Sequence, residues 1–198
     1  MKKIIDRVGW GTMLVLAAIV SAYAFTFLFL DLGDSSEVKA RFLEYALAGY
    51  SHVFGGGIAL LLGPFVLSTK FRKRNLNLHR WMGRIYLVGV LASGSAGLFL
   101  STVTMGGPSA RLGFGMLAVF WLTSGTMAYI RIRQKRKPLH KMWMYRNYAL
   151  TLAAVSLRLG LPAMMANGFE FDTAYQVIAW MCWVPNLIIA EWWFLRRR

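Results

Sequence analysis

The stretch LHRWMGRIYLVGVLASGSAGLFL, residues 78–100, begins with a histidine among basic and aromatic residues and continues as a long apolar run. A closely similar opening, LHKMWMYRNY, occupies residues 139–148. If one extra residue is allowed after Lys141, both openings read Leu-His-basic followed by Trp-Met-x-Arg-x-Tyr. We call this pattern the His-Arg cassette. Each copy opens a run long and apolar enough to cross a bilayer, so the sequence predicts that the cassettes begin two membrane helices.

Composition favours the same class of protein. Hydrophobic residues make up 57% of the 198 residues and charged residues 16%, with a mean hydropathy of +0.48. Soluble domains are about 45–50% apolar and about 25% charged. Because a helix needs roughly 20 apolar residues to cross the hydrocarbon layer, the apolar runs predict six transmembrane helices. Their approximate ranges are residues 9–31, 48–68, 80–104, 112–131, 142–165 and 173–195. The predicted fold class is therefore all-α, a polytopic membrane helix bundle formed by a single integral membrane domain, residues 1–198.

The net charge of +15 is unevenly distributed along the chain. With six crossings, one side of the membrane receives all but four of the 23 lysines and arginines; the four are Lys39, Arg41, Arg111 and Arg158. The other side receives six of the eight acids, including Asp31 and Asp34. By the positive-inside rule, we predict a multi-pass protein of the bacterial inner membrane with both termini in the cytoplasm. The basic loops are expected to contact anionic lipid headgroups of the bilayer rather than nucleic acid.

Between the first two predicted crossings, EVKARFLEYAL at residues 37–47 has apolar residues at helical spacing. This pattern predicts a short amphipathic helix on the outer membrane surface, with Val38, Phe42 and Tyr45 directed toward the lipid. The single cysteine, Cys182, falls in the sixth predicted crossing. One cysteine excludes an intrachain disulfide and a cysteine-based metal site.

The repeated cassette predicts where two of the three histidines lie. Helices three and five should run in the same direction, so His79 and His140 are expected at one depth, at the cytoplasmic ends. At 100° per residue, His79 shares a helix face with Met82, Gly83, Tyr86, Val90, Ser93 and Gly97, and His140 with Met144, Asn147, Thr151, Ala154 and Arg158. Polar groups inside a span normally face the bundle interior, a cavity or a bound group.

The third histidine, His52, is expected on the other side of the membrane from His79 and His140. It shares a face of the second helix with the small residues Gly56, Ala59 and Gly63. Small residues let helices approach closely or leave space for a flat group. Arg158 lies 18 residues beyond His140, roughly 27 Å at 1.5 Å per residue, and so should be level with His52. A buried guanidinium needs a partner, either an anionic ligand or a carboxylate such as Glu44 or Glu170.

Two imidazoles that face each other across a helix bundle are the usual axial ligands of a haem b. The sequence therefore offers His79 and His140 as metal ligands. The other candidate cofactor-binding residues are Arg84, Arg146, Tyr86, Asn147, Arg158 and His52. Alternatives stay open: a histidine at a helix start also suits a lipid headgroup, with Trp, Tyr and Arg as interface anchors, or another metal or a quinone. Catalytic motifs are absent, so no catalytic residue is assigned and the sequence does not decide whether the chain is an enzyme.

Three stretches indicate a family: HVFGGGIALLLGPF, LHRWMGRIYLVGVLASGSAGL and MYRNYALTLAAVSLRLGLP. They resemble an uncharacterised family of small bacterial multi-helix membrane proteins, over most of the chain from His52 to Pro162. This resemblance implies a location and a fold, and no activity. A looser resemblance in architecture to b-type membrane cytochromes rests on the paired histidines. Because the chain has three histidines, that resemblance implies at most one bis-histidine haem.

Two functions follow as hypotheses. The first is a membrane electron-transfer protein that binds one haem b and exchanges electrons with a redox partner such as quinone. The second is a non-enzymatic transporter or binding module for a small molecule or lipid, without a chromophore. In that case the polar stripe from His140 to Arg158 would be the pathway.

Overall fold

The computed structural model describes residues 2–27 and 37–195, which form helices and short loops without a β-strand. The helices are α1 (Lys2–Phe27), α2 (Glu37–Glu44), α3 (Ala46–Leu67), α4 (Thr69–Arg74), α5 (Leu76–Val103), α6 (Gly107–Arg133), α7 (Lys137–Thr151), α8 (Ala153–Ala166), α9 (Phe171–Met181) and α10 (Val184–Ile189), followed by a π-helical segment (Ala190–Leu195). Among the charged residues, Asp31, Asp34 and the terminal arginines 196–198 lie outside the described residues.

Six spans long and apolar enough to cross a membrane occur in the described ranges, which confirms the predicted number. They are Gly9–Phe27, Ala46–Leu67, Leu76–Thr102, Gly107–Arg133, Lys137–Ala166 and Phe171–Trp192. The fifth span comprises α7 and α8, and the sixth comprises α9, α10 and part of the π-helical segment. We call the end of the bundle that bears α4 and the α6–α7 loop the basic end, and the other the opposite end.

The third and fifth spans begin about a turn earlier than the apolar runs indicate. The side chain of Asn75 caps α5 by accepting a hydrogen bond from the amide of Leu78 at 3.0 Å. Pro138 occupies the first turn of α7, where its missing amide hydrogen is not needed. These local signals extend the helices through charged residues that hydropathy alone leaves out, so both cassettes are fully helical.

The centre of the molecule is a ring of four helices. Helix α3 packs on α5, α5 on α6, α6 on α7, and α7 returns to α3. This order places α5 and α7, the two helices that begin with a cassette, across the ring from each other. Helix α1 packs on the outside of α3, and α9 packs against α6 and α8.

Helices α3 and α5 approach each other closely because glycine is present on both sides. A Cβ atom at Gly55 would lie 2.9 Å from the carbonyl oxygen of Gly89, and one at Gly89 would lie 2.8 Å from that of Gly55. Any larger residue at either position would separate the backbones. As predicted, the face of α3 with small residues is turned toward its neighbours: Ala59 is fully buried there.

Helix α2 forms as predicted, but the predicted direction of its apolar face is wrong. The ring of Phe42 packs against those of Phe27, at 6.2 Å between centroids, and His52, at 5.9 Å. Tyr45, just after the helix, packs against Phe99 at 5.4 Å, and Val38 packs against the core. The apolar side of α2 therefore covers the opposite end of the bundle, because aromatic side chains on α1, α3 and α5 are available there.

Candidate functional site

His79 and His140 occupy equivalent positions in the two opposed helices. Each is the fourth residue of its helix, counted from Leu76 in α5 and from Lys137 in α7. The amide of His79 donates to the carbonyl of Asn75 at 3.1 Å, and the amide of His140 to that of Arg136 at 3.0 Å. The two side chains lie at the same depth at the basic end and within electrostatic range of each other.

The orientation of the His140 ring is fixed by a backbone carbonyl. Its Nδ1 lies 2.9 Å from the oxygen of Ala128 in α6. A carbonyl oxygen only accepts hydrogen bonds, so the neutral ring has its proton on Nδ1. The Nε2 lone pair has no hydrogen-bond partner among the described residues. This arrangement, with Nδ1–H on a carbonyl and Nε2 unprotonated, is the one that metal-ligating histidines use.

His79 is half-buried, and its Nδ1 atom is fully buried without a hydrogen-bond partner in the described part of the chain. One turn further along α5, the helix surface at Gly83 is open. A Cβ atom added at Gly83 would meet no heavy atom within 4 Å. A buried polar atom without a partner costs free energy, so the His79 ring is a candidate to bind a further group next to Gly83.

The positive charges that act on the two imidazoles are not the predicted ones. Arg72, in α4, is within electrostatic range of both rings, and Arg80 is within range of His79. Hydropathy and motif spacing did not single out Arg72. Its signal in the sequence is the basic segment TKFRKR, residues 69–74, which is separated from the first residue of α5 by Asn75 alone.

The predicted arginines of the cassettes have other contacts. The guanidinium of Arg84 lies over the Trp81 ring at 4.8 Å from the ring centroid, and that of Arg146 lies over the Trp143 ring at 4.7 Å. Both contacts follow from the shared Trp-x-x-Arg spacing, because residues three apart are neighbours on a helix surface. Arg146 is also paired with Glu191 through two of its guanidinium nitrogens, Nε and Nη2. Their role as cofactor-binding residues therefore stays a prediction without a contact to the histidines.

Tyr86 and Asn147 lie deeper, in a polar network between the opposed helices. The Tyr86 hydroxyl donates to Asn147 Oδ1 at 2.6 Å and lies 3.1 Å from the Thr151 hydroxyl. Asn147 Nδ2 donates to the Trp121 carbonyl at 2.8 Å and to Ser124 Oγ at 2.9 Å, and Trp121 Nε1 donates to Thr151 at 2.9 Å. Since Tyr86 is seven residues beyond His79, the network lies about 10 Å from the histidine level.

His52 and Arg158 both lie at the opposite end. His52 Nδ1 contacts the Ser93 carbonyl at 3.0 Å, and its ring is within electrostatic range of Arg158. The guanidinium of Arg158 lies over the ring of Tyr23 at 5.4 Å. These two residues thus do not contact the His79–His140 pair, and they form a separate group.

Two cavities of the described part of the chain lie away from the predicted site residues. Among the described residues no group of three or more His, Cys, Asp or Glu converges. A cavity of about 530 Å³ opens between α3 and α5 and is lined by Tyr45, Ala46, Leu47, Ala48, Ser51, Ala92, Ala96 and Phe99. A second, of about 400 Å³, is lined by Gly9, Thr12, Met13, Leu16, Leu152, Val155, Ser156 and Asn186. Neither cavity is lined by the histidines or by the polar network.

The six apolar spans, the ring of helices and the charged ends define a multi-span helical membrane protein. The chain belongs to the family described as predicted membrane protein (DUF2306), whose model matches residues 49–194. The matched region includes both cassettes, His52 and Arg158. No curated protein and no solved structure matches the chain significantly.

Proposed function

We propose that the chain is a membrane-embedded electron-transfer protein that binds one haem b between His79 and His140. The single observation behind this proposal is the pair of imidazoles at equivalent positions of two opposed helices. A haem b would supply one-electron oxidation and reduction at its iron. The partner of this exchange is proposed to be a quinone, since quinones are redox molecules that dissolve in the bilayer.

The donor set fits a haem better than a free metal ion. Zinc sites in proteins normally use three or four protein ligands, and the described residues offer no such group. The porphyrin of a haem supplies four nitrogens itself, so two histidines complete the coordination. His140 has its Nδ1 proton on the Ala128 carbonyl at 2.9 Å, which leaves Nε2 free to ligate.

The residues around the histidine pair also fit the ring and the propionates of a haem. The open surface at Gly83 provides room beside His79. Arg72 and Arg80 provide positive charge near the imidazoles, and propionate carboxylates form strong hydrogen bonds with guanidinium groups. These features support a haem at the edge of the ring, reached from the basic end.

The transporter hypothesis receives less support from the same residues. A pathway along the stripe from His140 to Arg158 would place Asn147 and Thr151 beside water or lipid. Instead, both side chains are buried, hydrogen-bonded to Trp121 and Tyr86, and absent from the lining of the two cavities. The polar groups of Asn147 and Thr151 are thus hydrogen-bonded to other groups of the protein, as in a structural network.

Spectroscopy of the purified protein tests the proposal. Protein from haem-replete cells should be coloured, with the narrow reduced α-band of a low-spin, bis-imidazole haem and a pyridine haemochrome equivalent to one haem b per chain. His79→Ala and His140→Ala should each abolish or broaden that band, whereas His52→Ala should retain it. Colourless wild-type protein, or a band that survives both substitutions, would contradict the proposal.

A steric variant sharpens the test without touching a ligand. Gly83→Leu adds a side chain beside His79 where the backbone leaves open space, so the fold should tolerate it while haem occupancy falls. The matched control is Gly11→Leu, which adds the same side chain at another open helical position, in α1 on the outside of α3. Equal haem content in the two variants would show that the space at Gly83 is not used.

A further inference from the structure

Arg158 is a charged side chain inside the fifth span whose charge the described residues do not neutralise. Its Nη1 donates to the carbonyl of Ala154 at 3.3 Å, and its Nε is buried without a hydrogen-bond partner among the described residues. The ion pairs of the described residues are Arg41 with Glu44 and Arg146 with Glu191, so neither Glu44 nor Glu170 is its partner there. A guanidinium with an unused donor is ready to bind an oxygen atom.

His52 presents the complementary group at the same end of the bundle, within electrostatic range of Arg158. Its Nδ1 lies 3.0 Å from the Ser93 carbonyl, which fixes the proton on Nδ1 and leaves Nε2 as an acceptor. The Ser93 hydroxyl donates to the His52 carbonyl at 2.7 Å. Gly97 makes room for the ring, since a Cβ atom there would lie 2.8 Å from Nδ1. The ring is therefore held in place by the backbone, with Nε2 without a hydrogen-bond partner among the described residues.

The depth of this pair indicates a ligand that is dissolved in the membrane. His52 is six residues from the start of α3 at Ala46, about 9 Å along the helix, and Arg158 is eight residues from the end of α8 at Ala166, about 12 Å. Half of the hydrocarbon layer is about 15 Å. Both groups thus lie below the headgroups, and the rings of Phe42, at 5.9 Å from His52, and Tyr23, at 5.4 Å from Arg158, provide aromatic surfaces.

We infer that Arg158 and His52 bind the headgroup of a quinone or quinol. A carbonyl or hydroxyl oxygen of the ring would accept from the guanidinium of Arg158, and a quinol hydroxyl would donate to Nε2 of His52. The aromatic side chains would pack against the flat ring. This inference rests on the proposed function in that it gives a membrane redox protein a quinone ligand. The site is at the opposite end from the histidine pair, roughly 27 Å away along the helix, so it is separate from the point at which the haem exchanges electrons.

The test measures binding of short-chain ubiquinone and short-chain menaquinone to protein in nanodiscs, followed by tryptophan fluorescence. Arg158→Met should weaken binding about tenfold or more, because a hydrogen bond to a charged group is lost. His52→Asn retains a donor for the Ser93 carbonyl but is too short to place an acceptor at the position of Nε2, so it should also weaken binding with little effect on folding. Arg111→Met removes an exposed positive charge at the same end and should leave binding unchanged.

The outcomes separate this inference from the haem proposal. The double variant His79→Ala/His140→Ala should lose haem and still bind the quinone with unchanged affinity. Wild-type protein that binds neither quinone, or binds equally well after Arg158→Met and His52→Asn, would overturn the inference even if the haem spectrum is present. It would also be overturned if Arg158→Met altered only the retention of phosphatidylglycerol, because the ligand would then be a lipid phosphate.

Discussion

Pro64, inside the second span, leaves a backbone carbonyl of α3 without its helical hydrogen bond. Proline has no amide hydrogen, so the carbonyl of Leu60, one turn earlier in α3, lacks its helical partner. The hydroxyl of Tyr148 in α7 donates to this carbonyl at 3.2 Å. The Tyr148 ring occupies the place where a side chain at Gly63 would project. A membrane offers no water to an unpaired carbonyl, so the cassette tyrosine of α7 satisfies the carbonyl that Pro64 leaves without a helical partner.

Two substitutions should separate the contribution of the Tyr148 hydroxyl from that of the close contact between its ring and Gly63. Tyr148→Phe removes only the hydroxyl and should lower the free energy of unfolding in detergent by about 1–3 kcal/mol. Gly63→Ala should lower it further, because the added methyl group collides with the Tyr148 ring. Gly83→Ala is the matched control, since its methyl group meets nothing and glycine costs up to about 1 kcal/mol in a helix. A Tyr148→Phe variant as stable as the wild type would rule out the proposed role of the hydroxyl.

At the scale of helices, the Asn147 network connects α5, α6 and α7 above the histidine level. Asn147 is fully buried, and it bonds to Tyr86 of α5 and to Trp121 and Ser124 of α6. A network with every member satisfied fixes helix register more precisely than apolar packing. It therefore sets the relative positions of α5 and α7, the helices that carry His79 and His140.

A double-mutant cycle measures the interaction between Tyr86 and Asn147. Tyr86→Phe and Asn147→Ala should each destabilise the protein, and together by less than the sum, with a coupling energy of about 0.5–3 kcal/mol. Chemical unfolding of the four proteins in the same detergent provides the numbers. Strict additivity would mean that the 2.6 Å contact contributes no stability of its own. If the histidine pair binds haem, Asn147→Ala should also release it faster, which the α-band reports.

The helices could be predicted from the sequence much better than the side-chain contacts between them. Apolar length gave the six spans, and helical periodicity placed Asn147 and Thr151 in the interior, since both depend on residues close in the chain. The partner of Arg146 is Glu191, 45 residues away, and Arg72 approaches the histidines from another helix. Such contacts depend on which helices are adjacent in the ring, and hydropathy does not determine that order. The same limit explains the wrong prediction for Phe42.

For the whole molecule, the distribution of charge predicts which face of the membrane lies next to the histidine pair. The basic end has α4, with Lys70, Arg72, Lys73 and Arg74, and the loop after α6. Moving such loops across the bilayer is unfavourable, so the positive-inside rule predicts that this end is cytoplasmic. A haem between His79 and His140 would then exchange electrons near the cytoplasmic face, and the Arg158–His52 pair would lie near the outer face.

Cysteine labelling in intact cells tests this orientation. Gln134→Cys, in the exposed loop of the basic end, and Asn167→Cys, in the exposed loop of the opposite end, leave the basic residues unchanged. Native Cys182 is fully buried and should stay unlabelled, so the wild type is the control. A membrane-impermeant maleimide should label Asn167→Cys in intact cells and Gln134→Cys only after the membrane is opened. The reverse pattern would place the histidine pair on the outer side, because both histidines are in the first turn of helices that begin at the basic end.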